Sequence, residues 1–240
     1  MKFNMKNLKY ILEAVLIFFG ILLSFYIDGQ RINKENSNYK NELVRDLQII
    51  IDSETKQINN IRELQYRCLK ASEDLIYDIM NDDSNLSDRK ISENILLVLQ
   101  RGTVSFFPQR GIYDELISTG STKLIQSKNF RYALSNTYNN LNFRNSAVSR
   151  IIDDYFFREI SLINKKIIII SKEEKSDSGY VYSNLVPTYY KIDKDYYKSD
   201  DFLSAINQFK SLIERYIDML DKLDSSYELL KIYSNEELMN

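Results

Sequence analysis

The chain has 240 residues and a formal net charge of -2, with 44% hydrophobic and 28% charged side chains, no histidine and one cysteine, Cys68. Those absences exclude Ser-His-Asp and Cys-His nucleophile systems, zinc clusters and an internal disulfide. Lysines and arginines alternate with acids instead of clustering, which excludes nucleic acid as a partner.

Residues 1–9 form a basic tail, with Lys2, Lys6 and Lys9 and no acid. The next stretch, residues 10–28, reads as a transmembrane helix: from Tyr10 to Ile27 the chain is YILEAVLIFFGILLSFYI, apolar apart from Glu13. No small-residue cutting site follows, since the run passes directly into Asp28, Gln30 and Arg31, so a retained anchor is expected and not a cleaved signal peptide. Lysines on the near side favour a cytoplasmic amino end, whereas Arg31, Lys34, Lys40 and Arg45 on the far side reduce that bias. The expected topology places the bulk of the chain outside the cytoplasm.

Two prolines and six glycines are few for a sheet protein and normal for long helices, so residues 29–240 read as one all-α domain. The anchor is expected to continue into an antiparallel bundle of long helices at about 35–80, 128–170 and 199–235, with a short helical hairpin at about 88–101 and 111–126. In the first long helix, Glu54 and Gln57 interrupt the apolar stripe, so its middle is solvated or faces polar partners. Ser87 starts the first short helix and Gly102 stops it. Phe106 and Phe107, in the loop before Pro108, are expected to plug the core. Gly120 is placed as a left-handed helix terminator, and Ser127 caps the second long helix. That helix carries Leu134, Tyr138, Leu141, Val148, Ile152, Tyr155 and Leu162, with Asn145 as a candidate register device. The run Ile167 to Ile170 fits a short strand or a packed helix end equally well, and residues 171–198 read as a surface loop. Ser199 caps the last helix, whose stripe from Phe202 to Leu230 is unbroken and packs within the chain more economically than between chains.

At helical spacing Glu13, Ile17, Gly20, Ser24 and Asp28 fall along one side of the anchor, a small and polar face suited to a helix–helix interface or a pore lining. The bland alternative is that Glu13 and Asp28 mark the two headgroup levels. Adjacent acids at Asp82-Asp83, Asp153-Asp154 and Asp200-Asp201 read as solvated surface, because neighbours on a helix diverge by about 100 degrees. Tyr180, Tyr182, Tyr189, Tyr190, Tyr196 and Tyr197 read as cover for the bundle, with a recognition surface as the alternative. Cys68 lies on an apolar stripe as inert core. No catalytic residue, metal site or cofactor is expected.

Two stretches resemble an uncharacterised bacterial family of small single-pass membrane proteins, a domain of unknown function. EAVLIFFGILLSFYID, Glu13 to Asp28, is similar to that family's anchor, and YDELISTGSTKLIQS, Tyr113 to Ser127, to its central motif. The chain departs from the family at the exit, where Gly29, Gln30 and Arg31 replace a Trp-Asn pair. The resemblance implies a helical domain tethered to the bacterial inner membrane and supplies no activity. The expected function is that of an anchored interaction or structural module, with the lipid bilayer, further copies of itself, or another membrane or operon protein as partners. An alternative from a different class is an oligomeric channel-forming effector of an antiphage defence system, its anchors lining a pore gated by the helical domain. A membrane-bound hydrolase using convergent carboxylates ranks third.

Overall fold

The structure is a computed structural model that describes residues 5–81, 86–174 and 184–239. Helix α1 runs from Met5 to Met80 without a break, about 114 Å at the usual rise per residue. The stretch at 10–28 and the helix at about 35–80 are therefore one element, and neither Gly20 nor Gly29 interrupts it. From Leu12 to Tyr39 every residue is exposed except the half-buried Gly29. Burial begins at Lys40 and continues through Leu43, Leu47, Ile51, Ile58 and Ile61 in steps of three, four or seven.

The partner of this buried stripe is α7, Asp200–Met239, which lies antiparallel to it. Lys40 meets Glu237, Asp52 meets Lys231 and Arg62 meets Asp221, the numbers falling on one helix as they rise on the other. Every position of the Phe202 to Leu230 stripe is buried inside the single chain. Those heptads are used up internally, so they offer no seam to a second copy.

Between the two long helices come α2 (Asp88–Leu96), a π-turn at Leu97–Arg101, α3 (Gly111–Ser118), a 3-10 turn at Ser121–Leu124 and α4 (Lys128–Ser135). A second π-turn at Asn136–Leu141 leads into α5, Asn142–Ile163. The caps act as their residue types predict. Ser87 accepts from the Lys90 amide, Ser127 from Phe130 and Ser199 from Phe202, and Gly120 takes the left-handed φ of 73°.

Three expectations need correction. The helix expected over 128–170 stops at Ile163, and β1 (Ile167–Glu174) pairs antiparallel with β2 (Asn184–Ile192), so the broadly helical chain carries a two-stranded ribbon. A row of four isoleucines is stiff at χ1 and fits a pleat, with Ile167 and Ile169 turned inward and Ile168 and Ile170 outward. Part of the segment read as a loop is thus strand, followed by α6, Lys194–Tyr197. The ribbon tolerates Pro187 because the register shifts between Ile170 and Ser171, leaving Thr188 as the extra residue of a bulge. Secondly, Phe106 is buried, but Phe107 is 72% exposed and plugs nothing. Thirdly, the α5 stripe is displaced: Leu162 is exposed and Ile163 buried, while Asn142, Asn145, Ser149 and Ile152 face inward. A π-turn inserts one residue, which rotates everything after it by about 100 degrees, so the pattern through Leu134 and Tyr138 resumes one position later.

Candidate functional site

Two places in the fold carry polar groups where apolar ones would be expected. The first is the protruding part of α1. Because the helix is unbroken, Glu13, Ile17, Gly20, Ser24 and Asp28 line one side of it, as their spacing predicts. All five are exposed, and nothing lies within 4 Å of a Cβ built on Gly20. Asp28 meets Arg31 one turn on, at 3.8 Å. Around them twelve large apolar side chains between Leu12 and Ile27 are also exposed, among them Phe18, Phe19 and Phe25. The face is therefore available to lipid or to another helix and is unpartnered within one chain.

The second place is the heart of the bundle. Glu54, at 0% exposure, projects from α1 among Tyr138 of the second π-turn, Asn142 of α5 and Tyr227 of α7. Tyr138 stacks on Tyr113 at 4.6 Å and meets Tyr227 edge-on at 6.2 Å, so aromatic rings wall in the carboxyl. Its Oε1 accepts the Gln109 backbone N–H in a short contact. Asn145 donates to the Phe106 carbonyl at 2.8 Å, and the Phe106 N–H donates to the Tyr216 hydroxyl at 2.7 Å, fixing the loop that delivers Gln109.

Burial pushes the Glu54 carboxyl up to about 7, although the Gln109 N–H and the Tyr227 and Tyr138 hydroxyls favour its charged form. Its Oε2, the Tyr138 hydroxyl and the side-chain oxygens of Asn142 and Asn145 find no partner of good geometry among the described residues. That cluster has more acceptors than donors, and a proton on Glu54 adds the missing donor. With no exposed surface, Glu54 cannot reach a dissolved substrate, so its chemistry is internal protonation.

The other candidates disperse. Asp82 and Asp83 lie outside the described residues, as do Tyr180 and Tyr182. Asp153 and Asp154 occupy the outer side of α5, and Asp200 and Asp201 open α7 where its dipole favours negative charge. Tyr189 and Tyr190 are exposed on β2, but Tyr197 is buried and donates to Asp78 at 2.8 Å, so the tyrosines form no common surface. Burial pushes the Cys68 thiol up to about 12, as inert core requires. Among the described residues no group of three or more metal-ligating side chains converges. Sequence reasoning missed Lys40 and Glu237, a buried ion pair at 2.7 Å, because single charges on exposed-looking helix ends carry no pattern.

The chain matches no protein-family model, no curated protein and no solved structure.

Proposed function

We propose that the protein is a single-pass membrane-anchored helical module that associates with itself, or with another membrane protein, through the Glu13–Asp28 face, and that it performs no catalysis. What supports this reading is the run of twelve exposed large apolar side chains on a helix whose continuation is fully packed. Left in water, those side chains would forgo on the order of 20 kcal/mol of burial. About 27 Å of helix from Tyr10 to Ile27 matches the hydrocarbon thickness of a bilayer. Lipid satisfies the large residues but gains little from Gly20 and Ser24, whereas a neighbouring helix gains close backbone approach there.

Association is tested at Gly20. The Gly20→Leu variant, purified in mild detergent, is expected to shift from oligomer to monomer by light scattering, with its circular dichroism unchanged because the bundle begins only at Lys40. An oligomer of undiminished size in that variant would contradict the interface.

A further inference from the structure

Far along α1 from the apolar stretch, three cations from three elements converge on one cleft. Arg67 of α1, Lys90 of α2 and Arg101 at the end of the first π-turn line a space of about 350 Å³ that is closed on one side by the open end of the ribbon. The π-turn that aims Arg101 is held by Gln65, which donates to the Val104 carbonyl at 3.0 Å, and by Cys68, which donates to the Leu97 carbonyl at 3.3 Å. Burial raises the Cys68 thiol, and the charges that oppose this are Arg67 and Arg101, so both guanidiniums lie over the same stretch of α1.

Charge in the cleft is unbalanced. Of its two acids, Glu93 is engaged by Arg89 at 3.1 Å and Glu174 by Lys172 at 3.1 Å. Arg101 meets Glu173 at 3.3 Å on the ribbon. Arg67 is bonded only to the neutral Asn184 side chain, at 3.2 Å, and Lys90 makes no ion pair among the described residues. Asn94 adds a further donor to the lining: its residue is 2% exposed and its amide nitrogen has no acceptor. A buried donor without a partner is costly, and a bound anion supplies what it lacks. Leu97, Leu185 and Val186 give the same cleft an apolar wall.

We propose that this cleft binds a small phosphorylated molecule with an apolar body, its phosphate held by Arg67, Lys90 and Arg101. Two guanidinium forks and an ammonium match the charge and the several oxygens of a phosphate better than a single carboxylate would. Lipid headgroups are not the source, because Arg67 lies about 58 Å along the helix from Asp28.

The test uses the full-length protein in detergent at low salt, with phenyl phosphate as the probe and inorganic phosphate as comparator, followed by calorimetric titration. Phenyl phosphate is expected to saturate one site per chain and to bind more tightly than inorganic phosphate. Arg67→Gln and Lys90→Gln are each expected to weaken it about tenfold, while Lys222→Gln, on the exposed side of α7, leaves it unchanged. Both cleft residues are exposed, so circular dichroism of these variants should match the parent. No saturable binding, equal affinity for inorganic phosphate, or unchanged affinity in the Arg67→Gln, Lys90→Gln double variant would overturn the proposal.

Discussion

Glu237→Ala is expected to destabilise the bundle by about 3–5 kcal/mol, because it strands a buried charge. Lys40 and Glu237 side chains are only 7% and 1% exposed, and their 2.7 Å contact is the first buried one after the protruding part of α1. The Glu237 carboxylate also accepts from the Gln126 and Ser127 amides, the latter at 2.9 Å, which holds the turn before α4 against both long helices. Removing it leaves an ammonium and two amides without partners. Burial opposes the charge on Glu237, but Lys40 and the two amides outweigh burial and hold the carboxyl below its ordinary value. Its contribution is therefore complete above the ordinary carboxylate range and is lost as pH falls through the lowered value. Urea unfolding at pH 7, followed by circular dichroism, measures the effect, and a loss under about 1 kcal/mol would show that the pair is idle. Replacing both partners together, Lys40→Met with Glu237→Leu, is expected to recover most of the loss.

Glu54→Gln is expected to act in the opposite direction, stabilising the protein by about 3 kcal/mol at pH 8. The folded-state carboxyl is raised to about 7 from an unfolded value near 4.5. Both states are protonated below that lower value, so stability there is undiminished. As pH rises from 4.5 towards 7 the unfolded chain gives up its proton first, and the bundle loses stability until the folded carboxyl ionises too. Glutamine keeps the oxygen that accepts from Gln109 and adds two N–H donors to a cluster short of them. The variant should equal the parent near pH 4.5, exceed it increasingly up to pH 7 and stay level above. The chain has no histidine, so no other side chain of ordinary pKa titrates in this window. A parent protein whose urea midpoint does not move between pH 5 and 8 would refute the buried-carboxyl picture.

How much of this was legible beforehand depended on whether local pattern and packing agreed. The α7 stripe could be read position by position because nothing interrupts it from Phe202 to Leu230. Glu54 could be flagged as an intruder on the α1 stripe, but its partners could not be named, since Gln109, Tyr138 and Tyr227 reach it from distant parts of the chain. The α5 stripe was misread past Tyr138 because a π-turn leaves no mark in residue types, only a change of phase. The ribbon was hidden for a different reason: Pro187 and the polar tyrosines of β2 argue for a loop until the bulge at Thr188 is seen to absorb them. Of the Glu13, Ile17, Gly20, Ser24 and Asp28 face, spacing alone placed all five residues, since one unbroken helix requires no tertiary information.

Alkaline carbonate washing of membranes from cells making the full-length protein probes the environment of the apolar part of α1 more directly than any variant. A helix with its side chains from Leu12 to Ile27 in lipid stays in the membrane pellet and leaves it only with detergent. Recovery of the intact chain in the aqueous supernatant would contradict the membrane-spanning reading.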